Sequence, residues 1–192
     1  MEAGRALGVA TRTVASARDR RALVERATVR EVLMGAQDNL TNVLAVVMGV
    51  TIGAGRAELV ALAGTAAAVA EAISMAGVLY TATRAELDLD AIEIPLDAHR
   101  GATRLGPAGA ALVTGLAALA GGLLPLIPFV VLALWPAVVT ALGLSIVVLF
   151  LLGTATASIT RRSWWREGLR LVIIAGSAAV AAALIGTALR VD

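Results

Sequence analysis

VLMGAQDNLTNVLAVVMGVTIGA, Val32 to Ala54, is long and apolar enough to cross a bilayer as a helix, yet it carries the acid Asp38. Roughly 20 apolar residues cover the hydrocarbon core, and an ionised side chain within it costs about 3 kcal/mol even on the mildest scales. A second acid of this kind, Glu71, sits in GTAAAVAEAISMAGVLY, Gly64 to Tyr80. A chain that keeps two carboxyl groups where lipid penalises them has a use for them, and the natural use is handling ions.

Composition supports the membrane reading. Of the 192 residues 59% are hydrophobic and 16% charged, with a mean hydropathy of +0.87, more apolar surface than a soluble domain of this size buries. Aromatics make up only 3%, so the apolar mass is Ala, Val, Leu and Gly. Such small side chains let helix backbones come close where lipid gives no hydrophobic drive. The absence of Cys excludes disulfides, thiolate metal sites and Cys nucleophiles. One His, His99, excludes a multi-His zinc site. All sixteen basic residues are Arg, which together with the Ala and Gly content fits a GC-rich bacterial genome and a bacterial cytoplasmic membrane. The net charge is only +2, and the Arg residues flank the apolar segments, so topology accounts for them and no nucleic-acid partner is expected.

Five segments qualify as spans: Val32 to Ala54, Leu59 to Thr81, Ala108 to Val131, Pro136 to Ile159 and Gly168 to Leu189. The expected fold is an all-α integral membrane protein of five transmembrane helices. The short Gly55 to Glu58 link and the Leu134-Trp135-Pro136 corner predict antiparallel hairpins of spans one with two and three with four. Arg5, Arg12, Arg18, Arg20, Arg21, Arg26 and Arg30 precede span one. Arg84, Arg100 and Arg104 follow span two, and Arg161, Arg162 and Arg166 follow span four. The other side offers only Arg56 and Arg190, which predicts a cytoplasmic N-terminus and an outside C-terminus. Residues 1–30 form a basic arm, read either as an interfacial helix (Leu7, Ala10, Val14, Ala17 and Val24 recur near helical spacing) or as an unstructured cytoplasmic tail. Residues 31–192 form the transmembrane domain.

An acidic cytoplasmic linker at 84–106 holds Glu86, Asp88, Asp90, Glu93, Asp97 and His99. It reads as a solvated connector, or as a weak metal-capture site built mainly on Glu86, Asp88, Asp90 and Glu93; Pro95 interrupts any helix there. Pro107 suits the start of span three. Pro125 and Pro128 in GGLLPLIPF must unwind or kink its end. Trp135, Trp164 and Trp165 fit interfacial anchors. No phosphate loop, Ser-His pair or nucleotide fingerprint appears, so neither a membrane hydrolase nor an ATP-driven pump is indicated.

Helical spacing puts Met34, Thr41, Asn42, Ala45 and Gly49 on the face of Asp38, and Ser74 and Met75 beside Glu71. Counting inward from Glu31 and Arg84 predicts that Asp38 lies level with Met75 and Asn42 level with Glu71. Carboxylates, an amide and a thioether on one track suit a divalent transition metal softer than magnesium or calcium, such as ferrous iron. An acid on this track can release a proton when a cation arrives and regain it when the cation leaves, giving proton-coupled exchange. Met34 and Met48 read as packing residues, Gln37, Asn39 and Asn42 as possible interhelical hydrogen-bonders, and Gly49 with Gly53 as a packing notch.

The run Gly35 to Gly49 around Asp38, AISMAGVLY, GGLLPLIPF, and Trp165, Gly168, Gly176 and Gly186 in the last span resemble the vacuolar iron transporter family, in its small bacterial form. The resemblance covers all five spans in order. It implies a five-span homodimer that exports ferrous iron, and often manganese, from the cytosol in exchange for protons, with no resident cofactor. It also implies a path lined mainly by span one of both subunits, with Asp38 on the family's span-one aspartate and Met75 on its span-two methionine. Glu71 and Asn42 complete the expected metal set. The chain departs from the family in three places: Asn39 follows Asp38 where Gly is common, Leu79 stands where an acid is common, and the linker is shorter. Those departures keep two alternatives open, a scaffold that retains the fold without transport and a transporter of another cation.

Overall fold

The computed structural model describes residues 29–90, 106–160 and 162–190. Most of the N-terminal arm, the acidic linker beyond Asp90, His99 and Arg161 lie outside the described residues, as do the side chains of Leu89 and Asp90. Helix α1 covers residues 29–54. It is followed by α2 (Ala57–Asp90), α3 (Gly106–Leu123), a 3-10 turn (Leu124–Leu126), α4 (Pro128–Val131), α5 (Leu134–Thr160) and α6 (Trp164–Ala188). No strand occurs among the described residues. By length and composition four helical stretches within them can cross a membrane: Ala57–Asp88, Gly106–Leu126, Leu134–Thr160 and Trp164–Ala188.

Side-chain size is sorted as lipid requires. The interior is largely small, with Ala68, Ala118, Ala137, Ala141, Ala157 and Ala175 buried, whereas Leu62, Ile73, Val139, Val180 and Leu184 are exposed on the outer faces of α2, α5 and α6. A water-soluble bundle would reverse that distribution; a bundle in hydrocarbon gains by close backbone packing instead.

Helix α1 is the axis of the arrangement. Its Leu40, Val43 and Val47 are fully buried. Val43 and Val47 pack in one cluster with Val60 and Ala68 of α2, Phe129 of α4 and Val138 of α5, and Leu40 packs with Leu149 of α5 and Ala175 of α6. The notch at Gly49 and Gly53 is a packing feature, as expected. A Cβ on Gly49 would meet the Ala182 carbonyl oxygen at 3.2 Å, and one on Gly53 would meet that of Gly186 at 3.3 Å. Between α1 and α2 the chain reverses at Gly55, whose φ of +63° is a left-handed conformation that a side chain would strain.

Two predicted features change. The first is the pairing of spans three and four. Helix α3 runs along α2, and α5 runs along α6, while α5 meets the chain of span three at the 3-10 turn and α4. Pro125 and Pro128 cause this, because the ladder they break becomes a 3-10 turn and a one-turn helix that carry the chain across the end of the bundle. The corner then falls at Leu132 and Ala133, and Pro136 sits in the first turn of α5, where its missing N–H costs nothing. The second is the end of span two. Helix α2 continues through Arg84 to Asp90, so the first part of the expected linker is helix. An Arg84–Asp88 pair at 3.4 Å, one turn apart, supports the continuation.

Asn39 and Gly122 are matched in size. A Cβ on Gly122 would lie 2.6 Å from the Asn39 side-chain oxygen, and one on its neighbour Gly121 would collide with the Ala36 carbonyl. Gly122→Ala and Asn39→Ala are each expected to destabilise the folded protein by about 2 kcal/mol, the first by overpacking and the second by lost hydrogen bonds and a cavity. In the double variant the clash has no partner, so unfolding in mixed micelles should show a loss smaller than the sum by about 1 kcal/mol. Strict additivity would contradict the contact.

Candidate functional site

Asn39 sets the geometry around the acids. Its side chain is fully buried, and its amide nitrogen donates to the Ala68 carbonyl of α2 at 2.9 Å and to the Ala118 carbonyl of α3 at 2.8 Å. Both carbonyls belong to helices, so the amide uses their second lone pairs and ties three helices at one level. Of the three residues read as possible interhelical hydrogen-bonders, Asn39 takes that role.

One residue earlier, about 100° around the helix, Asp38 emerges on the exposed side of α1. Its carboxyl group meets that of Glu71 on α2 within hydrogen-bonding reach. The structure therefore brings the two intramembrane acids together, but not at the predicted levels. Asp38 is level with Glu71, so Met75 lies one turn, about 5 Å, nearer the end that carries the Arg-rich arm, and Asn42 one turn away from it. Counting inward from Arg84 misplaced the register because α2 does not end there. Asn42 is exposed, Glu71 and Met75 are partly buried, and Ser74 is exposed.

Met34 corrects another expectation. Met48 packs against the core, but Met34 is 40% exposed and lies on the same stripe of α1 as Asp38 and Asn42. A thioether one turn from the acid pair was thus missed, since the sequence does not say which face of α1 the neighbouring helices leave uncovered.

Nearer the Arg-rich end, Glu31 sits just before the apolar segment of α1 and was not singled out as a site residue. Burial pushes its carboxyl above the usual carboxylate range, the nearby Glu86 carboxylate pushes the same way, and Arg30 pulls it back. One Glu31 oxygen is buried without a hydrogen-bond partner. Of the expected capture residues, Glu86 therefore faces Glu31, while Asp88 is already paired with Arg84. The Asp90 side chain and Glu93 lie outside the described residues. Among the described residues no three His, Cys, Asp or Glu side chains gather closely enough to hold a metal ion; Asp38 and Glu71 are two acids brought together. Among the same residues, neither Asp38 nor Glu71 has an Arg within ion-pair distance; the pairs are Arg56–Glu58, Arg84–Asp88, and Arg162 and Arg170 with Glu167.

The family model described as the VIT family matches residues 29–103 and 91–187. No curated protein matches the chain.

The Glu31 environment has a pH signature. A carboxyl that holds its proton to higher pH in the folded than in the unfolded state weakens folding as pH rises through that interval, and the penalty is complete above it. Glu31→Gln is therefore expected to raise the melting temperature near neutral pH, with the gain vanishing at about pH 4 and below, where both states are protonated. Melting curves of the two proteins across that range would check this. A gain independent of pH, or a loss at neutral pH, would contradict the assigned cause.

Proposed function

Because the chain belongs to the VIT family, a family of membrane transporters, we propose that it is a proton-coupled exporter of divalent transition metal, ferrous iron or manganese, acting as a homodimer in a bacterial cytoplasmic membrane. In this reading α1 is a fifth span, the Arg-rich ends face the cytosol and the C-terminus lies outside, as the Arg distribution favours.

The observation that carries the proposal is the meeting of Asp38 and Glu71 on an uncovered face of the protomer, free of Arg partners among the described residues. Two carboxyl groups in lipid have no stabilising surroundings, so a second copy of the chain is the natural cover, closing a passage lined by Met34, Asp38 and Asn42 from both protomers. A divalent ion entering between the two carboxyl groups displaces a proton held on this track, and a proton returns when the ion leaves, which couples metal efflux to proton entry. Asp38 and Glu71 supply the charge, while Met75 and Met34, one turn to the cytosolic side, supply polarizable sulfur that favours ferrous iron or manganese over magnesium and calcium. Asn42 offers a neutral oxygen on the outward side. Glu31 and Glu86 draw cations to the entrance, with a lesser share for Asp88, Asp90 and Glu93.

Leu79, partly buried where the family commonly places an acid, supports the second reading, a scaffold without transport. Inside-out vesicles separate the two. The transporter reading expects saturable ferrous or manganous uptake driven by a proton gradient, falling to the level of protein-free vesicles in Asp38→Ala while the dimer persists. Undiminished uptake in Asp38→Ala would remove the proposed site. No saturable uptake by the folded wild-type dimer would leave the scaffold.

A further inference from the structure

At the Arg-rich end, a cleft of about 370 Å3 opens between the start of α1, the end of α5 and the start of α6, reaching Met34 and Gln37 within a turn of Asp38. Its polar rim carries three guanidinium groups, those of Arg30, Arg162 and Arg170, and one carboxylate, Glu167. The Glu167 side chain is 17% exposed and lies 3.2 Å from Arg162 and 3.6 Å from Arg170, whose own side chains are 62% and 61% exposed. One sheltered carboxylate therefore orients two outward guanidinium groups without neutralising both. Arg30 makes no ion pair among the described residues. The rim keeps an excess of two positive charges.

The rest of the lining is mixed: Gln37, Thr156 and Thr160 are polar, and Met34, Leu171 and Ile174 form an apolar wall. Beside it, Trp164 and Trp165 are exposed at the start of α6, with the Arg166 guanidinium 5.3 Å above the Trp165 ring, which places the rim at the depth of lipid headgroups. Guanidinium groups present planar, paired donors that match phosphate oxygens, and basic pockets between membrane helices take anionic headgroups. We propose that this cleft binds the phosphate group of an anionic membrane phospholipid, with an acyl chain along Leu171 and Ile174. The same guanidinium groups would accept free phosphate, but only a lipid also covers the apolar wall. The cleft shares Met34 with the proposed metal passage, but phosphate recognition rests on Arg30, Arg162 and Arg170 and is tested without metal.

The test titrates the full-length chain in micelles of neutral detergent with short-chain phosphatidylglycerol, phosphatidylcholine of equal chain length, and inorganic phosphate, and reads bound lipid by native mass spectrometry and protection against heat. Phosphatidylglycerol is expected to bind more tightly than phosphatidylcholine. Arg30→Gln and Arg170→Gln should each weaken it about five-fold, and Arg56→Gln, which removes the same charge from the opposite end of the bundle, should leave it unchanged. Arg30 anchors no ion pair among the described residues, so its variant carries the test if Arg170→Gln fails to fold. Equal binding of the two lipids, equal protection by inorganic phosphate, or equal weakening by Arg56→Gln would each overturn the assignment.

Discussion

The buried amide of Asn39, held between one carbonyl of α2 and one of α3, is the constraint on which the rest of the structure depends. In hydrocarbon an amide cannot turn to water, so it keeps these partners or loses them outright. Two donors in fixed directions lock both the rotation and the height of α1 against its neighbours. A sliding α1 would carry Asp38 past Glu71. The lock explains why the acid pair forms where it does, and why Gly121 and Gly122 must present bare backbone to α1.

Around that point the packing is made by what is missing from the side chains. Alanines and glycines on α1, α3 and α6 let backbones approach closely, and the larger aliphatic residues go to the outer surface. The prolines of span three then decide which helices pair, because the turn they force sends α3 along α2 and α5 along α6. With α1 held between those two pairs, one of its faces is left uncovered by the described residues, and that face carries Met34, Asp38 and Asn42.

Much of this was legible in the sequence because it depends on local composition. The apolar segments, the break at Pro125 and Pro128 and the notch at Gly49 and Gly53 follow from residue type and spacing alone. The height of Asp38 relative to Glu71 did not, since it requires knowing where α2 ends, and the helix runs on to Asp90 through residues that look like a polar linker. The roles of Met34 and Met48 were equally hidden, since both are methionines on one amphipathic-neutral helix and only tertiary packing separates a core thioether from an uncovered one. Asn39 reads from the sequence as one of several possible interhelical hydrogen-bonders, and only the structure shows that its nitrogen finds two carbonyls while its buried oxygen, facing Gly122, finds no hydrogen-bond partner among the described residues.

Membership of the VIT family accounts for the general task, membrane transport, and the proposed function adds a specific claim, that two copies of the chain together form one metal site. The most direct test is the stoichiometry of manganese binding to the purified protein by equilibrium titration. The account predicts one tightly bound ion for two chains, lost in Asp38→Asn while the dimer remains assembled. One ion per chain in a monomer, or binding unchanged by Asp38→Asn, would contradict it.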